Sequence, residues 1–149
     1  GTYIATIGEA AKDDSYEIHM SEKEKVSLKF VNADTETGIA LYTPLFPAGT
    51  KDADKKLSSI SFADSGTAPG QTSIALGSNA SGDKTLSVGI ITSVSGATST
   101  VQKIGSQAIG AQSIGGPLID IRGNLIGINA DERVAISSFS IKKLLDSIK

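Results

Sequence analysis

Hydrophobic and polar residues alternate along most of this chain with the two-residue period of β-strands. Tyr3 to Ile7, Tyr16 to Met20, Lys25 to Val31, Gly38 to Tyr42 and Ser58 to Phe62 carry β-branched, aliphatic and aromatic residues between polar ones, as a strand with one buried face requires. Gln71 to Leu76, Leu86 to Val94, Thr98 to Ile104, Pro117 to Ile121, Leu125 to Asn129 and Val134 to Ser137 have the length and flanking turn residues of further strands. Many short strands at this spacing predict a barrel or a sandwich.

Turn chemistry agrees. Arg122-Gly123-Asn124 separates two apolar runs with residues that tolerate positive φ, which predicts a tight hairpin. Pro44 to Leu57, with Pro47, Gly49 and a mixed charge run from Lys51 to Lys56, has neither period and reads as a surface connection between two barrels. Gly77 to Lys84 and Ser95 to Thr100 read as loops of small residues. Only the last segment has a helical pattern: Phe139, Ile141, Leu144, Leu145 and Ile148 fall on one face, with Ser138 or Ser140 as the cap, and the helix is expected to pack across a barrel.

Composition narrows the chemistry. At 149 residues the chain suffices for one domain or for two small barrels sharing an interface. A net charge of -2 with 20% charged residues leaves no strong field for nucleic acid or an anionic membrane. No apolar run approaches the roughly 18 to 20 residues that cross a bilayer, so no membrane contact is expected of this segment. Without cysteine there is no disulfide or thiol nucleophile, and a lone histidine, His19, argues against zinc. No cofactor or metal is expected: the glycines at 105, 110, 115 and 116 do not follow a strand and open a helix, so they form no phosphate loop. Asp13-Asp14 and Glu22-Lys23-Glu24-Lys25 read as solvated turns. The first residue is Gly1, which suggests a processed product or a domain excised from a longer protein.

One motif carries chemical meaning. Gln112-Ser113-Ile114-Gly115-Gly116-Pro117-Leu118 resembles the Gly-Asn-Ser-Gly-Gly-Pro-Leu nucleophile loop of trypsin-like serine proteases, and the resemblance continues through Asp120-Ile121-Arg122-Gly123-Asn124-Leu125-Ile126-Gly127-Ile128-Asn129. Pro69 to Ser78, Leu86 to Ser95 and Ala135-Ile136-Ser137-Ser138 follow the family's order as well. The chain is similar to the HtrA branch of that family across nearly its whole length.

The resemblance implies an all-β fold: a double antiparallel β-barrel, the first barrel incomplete, ending in a short C-terminal helix. The expected organisation is one domain over 1–149, with a first barrel over about 1–45, a second over 58–138 and the helix over 139–149. Too little sequence precedes Tyr3 for the family's opening strands, which are expected from an upstream segment, from another chain, or not at all in a reduced topology. The resemblance also favours a periplasmic, cell-envelope or secreted location.

The same alignment implies a degenerate triad. Ile4-Ala5-Thr6-Ile7-Gly8-Glu9 resembles the family's histidine stretch with Glu9 in place of the base. Asp34-Thr35-Glu36-Thr37-Gly38-Ile39-Ala40-Leu41 resembles its aspartate stretch with Gly38 in place of the acid, and Ile114 stands where the serine belongs. Isoleucine has no oxygen to acylate, and neither Glu9 nor Gly38 supplies an imidazole or the carboxylate that orients one. Gln112 replaces a glycine whose backbone freedom helps aim an oxyanion-hole N–H. Ser113 is one place out of register, which turns its side chain from the cleft, so it reads as a loop serine bonded to backbone. His19 lies a strand too late to be the base and reads as a strand residue. Glu9 is either an exposed charge or a group lining the former cleft.

The expectation is a catalytically inactive protease homologue that binds protein or peptide or serves in assembly, with homo-oligomerisation open. Two alternatives remain: a serine hydrolase with a rearranged site built on Ser113 and a carboxylate such as Glu9, and a purely structural domain of a larger envelope protein.

Overall fold

A computed structural model describes residues 2–8, 15–20, 24–50, 57–64, 66–96 and 101–148. Glu9, Asp13-Asp14, Glu22-Lys23 and the Lys51–Lys56 run lie outside these residues. The described chain is mostly β, in two sheets with a short C-terminal helix. The first sheet contains β1 (Ile4–Ile7), β2 (Tyr16–His19), β3 (Lys25–Asp34) and β4 (Ile39–Leu45), paired antiparallel in the order β1-β4-β3-β2. It curls into a half-barrel whose two outer strands are β1 and β2. The second sheet closes completely: β5 (Thr72–Ser78), β6 (Lys84–Ser95), β7 (Lys103–Ser106), β8 (Pro117–Ile119), β9 (Leu125–Asp131) and β10 (Val134–Ser137) form a barrel in the order β10-β7-β6-β5-β8-β9. Closure removes the edges that an open sheet exposes.

Two apolar clusters hold this arrangement. Ala75, Ile91, Ile104, Leu118, Ile126 and Ala135 fill the closed barrel. Ile39 and Leu41 of β4 pack with Leu125, Ile128, Ile136 and Ile141, so the face of the half-barrel that carries alternate residues of β4 is buried against the barrel and the helix. Across β1 and β4 the opposite face places Ile4 beside Tyr42. There Tyr42 meets the rings of Tyr16 and Phe30, with centroids 4.9 and 6.0 Å away.

The helix α1 (Ser138–Ser147) buries Ile141 in the second cluster, with Leu144 and Leu145 packed beside it. Its N-cap is Ser137, not Ser138 or Ser140. Ser140 lies within the first turn, and its Oγ accepts the Gln102 N–H at 2.8 Å, tying the helix to the segment before β7. Three strand expectations need correction. Ser58 to Phe62 is not a strand: Phe62 alone forms a parallel bridge to Leu125, while residues 58–61 are exposed apart from that contact. Of the strand expected over Thr98 to Ile104, residues 98–100 lie outside the described residues, and the described part becomes a strand only at Lys103. The strand expected to reach Ile121 stops at Ile119, and Ile121 projects from the turn. Conversely, β4 continues through Pro44 to Leu45 where a connection was expected.

The β8–β9 turn is built around Asp120. Its Oδ1 accepts the N–H groups of Arg122 and Asn124 at 2.8 and 2.9 Å, its Oδ2 accepts Asn124 Nδ2 at 3.2 Å, and Gly123 has φ +83. Burial acts upward on this carboxyl, but the bonds from Asn124 and Arg122 and the Arg122 charge outweigh it and hold its pKa below the ordinary 3.8. A depressed folded pKa adds stability above the unfolded value and loses it as pH falls through the folded one. The urea midpoint of Asp120→Ala is therefore expected to lie below that of the wild type at pH 7, with the gap narrowing below about pH 4. An unchanging gap in a urea titration across that range would show that the carboxylate charge is immaterial to the turn.

Candidate functional site

The segment that carries the nucleophile-like motif leaves β7, makes a 3-10 turn over Ala111–Ser113 and enters β8 through Gly115 and Gly116. The turn exists because the Ser113 N–H bonds Gly110 O at 2.9 Å. The Ser113 hydroxyl closes it further, donating to Gly110 O at 2.8 Å and accepting the Gly110 N–H at 3.2 Å. Ser113 is buried, with 5% of its surface exposed, and its hydroxyl proton is directed at a main-chain carbonyl, which cannot act as a general base. Gln112 is exposed within this turn and does not adopt a left-handed backbone.

Ile114 follows with an extended backbone, φ −59 and ψ 134, and its side chain is 44% exposed. Gly115 then takes φ +82, a conformation that costs any residue with a Cβ. At Gly116 a Cβ would collide with the Leu76 carbonyl. Both glycines therefore meet demands of the chain path that exist with or without catalysis. Asn129 on β9 grips the segment through three atoms: its N–H bonds Gly116 O at 2.9 Å, its carbonyl accepts the Gly115 N–H at 2.7 Å, and its Nδ2 donates to Ser113 O at 2.9 Å. Asn129 is fully buried.

Two further contacts join other segments to β1. Thr6 Oγ1 on β1 donates to Gly115 O at 3.2 Å, and the Gly8 N–H bonds Gly38 O at 3.1 Å. β1 therefore touches the 112–116 segment through Thr6 and the turn at 34–38 through Gly8. Gly38 closes a turn organised by Asp34, whose Oδ2 accepts Thr37 Oγ1 at 2.6 Å, whose Oδ1 accepts the Glu36 N–H at 3.2 Å, and whose carbonyl accepts the Gly38 N–H at 2.8 Å. Gly38 has φ +70. His19 is elsewhere, exposed on β2 with its Nε2 4.0 Å from Glu17, whose carboxylate also meets Lys25 at 3.4 Å.

This order of strands, with a glycine-rich segment between the fourth-last and third-last strands of the chain, has a counterpart among known proteins. The profile of the trypsin-like peptidase domain matches residues 3–128. The chain belongs to the trypsin-like peptidase domain family. Among solved structures, this trypsin-like domain is similar to the HtrA-type protease AlgW, solved with a decapeptide, at 23% identity and a TM-score of 0.79, over 98% of this chain and 48% of that one. It also matches the serine endoprotease from Yersinia pestis at 20% identity and TM-score 0.74, over 98% of this chain and 53% of that one. The MamO protease domain from Magnetospirillum magneticum in its apo form matches at 21% and 0.71, over 99% and 82%. The chain thus spans about half the length of the first two and most of the third. A search of curated proteins returns no match. The likeness establishes a trypsin-like, HtrA-like fold, in which the closed barrel is complete and the other is half present.

The motif marks no role for Thr6, Asp34 or Asn129, whose side chains hold β1 to Gly115, the 34–38 turn to itself and β9 to Ser113. Asn129 left a trace in the sequence as a polar residue directly after the apolar run Leu125 to Ile128, where a buried amide needs bonded partners. Nothing comparable marks Thr6, because a threonine in a strand is ordinary.

Proposed function

We propose that this trypsin-like domain has lost hydrolysis and works by binding protein or peptide outside the cytoplasm. The observation that supports the reading is Ile114, an aliphatic side chain that sequence resemblance sets at the place of the family's nucleophile. No acyl-enzyme can form on it, and loss of the nucleophile alone costs serine proteases roughly a million-fold in rate. The neighbouring Ser113 gives no substitute, because both hydrogen-bonding directions of its hydroxyl are used within its own turn. By sequence resemblance Glu9 and Gly38 take the places of base and acid, which would leave the family's proton relay without its parts.

A cleft shaped for an extended peptide keeps its main-chain bonding groups when the nucleophile is lost. The exposed Ile114 adds an apolar contact in it. The decapeptide solved with AlgW supports peptide as the class of ligand by analogy of fold. Assembly of copies of the chain is part of the same reading.

Treatment with a fluorophosphonate probe is expected to leave the intact mass unchanged, and unfolded casein is expected to survive incubation. A stoichiometric adduct that disappears in Ser113→Ala would establish a rearranged hydrolase instead.

A further inference from the structure

Two strands of the closed barrel carry their large residues outward. Successive residues of a barrel strand point in and out by turns. The inward positions are Ser73, Ala75 and Gly77 on β5, and Ser87, Gly89 and Ile91 on β6. All but Ile91 are small. The outward positions are Ile74 and Leu76 on β5, and Leu86, Val88 and Ile90 on β6.

This inversion has a steric cause. The segment between β7 and β8 enters the barrel and places Ala108 and Ile109 in its core. A Cβ on Gly77 would collide with the Gln112 carbonyl, and one on Gly89 with the main chain of Gln107 and Ala108. In the same interior Ser73 Oγ and Ser106 Oγ bond each other at 2.7 Å, and Ser106 Oγ accepts the Ala108 N–H at 3.0 Å. A slip of one residue would turn the large side chains inward, and these contacts forbid it. Leu86, Val88 and Ile90 therefore stay outside, with 64%, 60% and 45% of their surface exposed.

The registers gather these side chains on one face of three adjacent strands. Val88 lies opposite Ile74, which lies opposite Ile119 of β8, and Leu86 lies opposite Leu76. No charge stands among these positions. Each end of the face carries one acid and one base: Asp83 and Lys84 where β6 begins, Asp120 and Arg122 in the β8–β9 turn. On the other side of β8 the barrel's outer wall already takes a sheet, since Leu125 and Ile128 of β9 pack with Ile39 and Leu41 of β4. The β8-β5-β6 sector is apolar in the same way and open to solvent.

We propose that a second copy of this chain packs on this face, β8-β5-β6 against β8-β5-β6, about a twofold axis. Such packing sets a surface against itself, so the surface has to be its own complement. This one is. With the axis across the strands, apolar centre meets apolar centre, and the Asp83–Lys84 end of one copy meets the Asp120–Arg122 end of the other, where each charge finds an opposite one. Nucleic acid or an anionic membrane would need an excess of positive charge, which neither end has. A small ligand would need a concave site, and the outer wall of a closed barrel is convex. Contact through three strands of a convex wall is smaller than the roughly 800 Å² per partner of a standard interface, so the dimer is weak and its population follows concentration. The inference rests on the assembly named in the proposed function and gives that assembly a surface, while the loss of hydrolysis does not enter it.

Sedimentation equilibrium of the whole chain tests this. The weight-average mass is expected to rise from 15.3 kDa toward twice that value between about 1 µM and about 1 mM. Val88→Asp places a charge at the centre of the contact and is expected to weaken association at least about tenfold. An unchanged circular-dichroism spectrum in dilute solution checks that the variant folds, and should it not fold, Leu86→Ser carries the same test. Ile114→Asp, in the nucleophile-like segment, is expected to associate as the wild type does. The chain has no cysteine, so Val88→Cys adds a single thiol close to the axis. A short bis-maleimide is expected to join Val88→Cys chains in pairs and to leave Ile114→Cys chains unjoined. A mass of one chain at about 1 mM would overturn both this inference and the assembly it rests on. A dimer that Val88→Asp leaves intact, or an assembly of three or more chains, would overturn this inference alone. Labelling by fluorophosphonate reads the loss of hydrolysis separately, so the two conclusions fail or stand apart.

Discussion

Leu41→Ala is expected to destabilise the domain by about 2–5 kcal/mol, while Leu45→Ala on the same strand changes stability by about 0.5 kcal/mol or less. The chemistry removed is identical and the sites differ only in surroundings. Leu41 is fully buried on the face of β4 that packs with Leu125, Ile128, Ile136 and Ile141. Truncation there loses the transfer energy of the deleted carbons and leaves a cavity between two sheets whose backbones cannot collapse into it. Leu45 ends the strand with 48% of its surface exposed. For a chain of this length a loss of 3 kcal/mol lowers the melting temperature by roughly 6–12 °C, within easy reach of calorimetry. Equal losses at the two positions would mean that the half-barrel does not depend on its contact with the closed barrel.

That contact also explains why the fold was legible. Alternation is a record of one-sided burial, and most strands here have one side against a core, as β3 and β8 illustrate with Val26 and Leu118 buried between more exposed neighbours. The record misleads where apolar residues serve something other than a ladder. Ile60 and Phe62 line a cavity beside β1, so residues 58–62 alternate without pairing as a strand. Ile121 extends an apolar run into a turn because Asp120, not hydrophobicity, decides where β8 stops. The hairpin itself was readable from Gly123, since its positive φ is a demand that few residues meet.

Legibility of the candidate site divides the same way. The motif from Gly115 to Asn129 stands out because the chain path needs it: a left-handed backbone at Gly115, no room for a Cβ at Gly116, and the three-point grip of Asn129. These needs persist without any chemistry at position 114. β1 reaches that segment through a single side chain, Thr6, 109 positions from Gly115, and no local pattern encodes such a pairing.

Regrafting the family's residues tests the proposed loss of hydrolysis. Ile114→Ser alone, and the triple variant Glu9→His, Gly38→Asp, Ile114→Ser, are both expected to remain unlabelled by fluorophosphonate and to turn over no casein. In the single variant the new hydroxyl has no base, and an unassisted serine is a poor nucleophile at neutral pH. In the triple variant the obstacle is the backbone. Gly38 has φ +70, where an aspartate is strained by about 1 kcal/mol and projects its carboxylate along a direction set by the left-handed turn rather than by a strand. Asp34 already organises that turn through Thr37 and Glu36, so a second carboxylate beside it meets like charge. Meanwhile the 3-10 turn before position 114 is held by Ser113 and Gly110, and grafting side chains does not release it. Catalysis by a triad is strongly non-additive, so one misdirected member removes most of the gain from the other two. Intact-mass measurement of the triple variant decides the matter: a stoichiometric adduct would show that only side chains were lost and that the scaffold had kept the geometry of a protease.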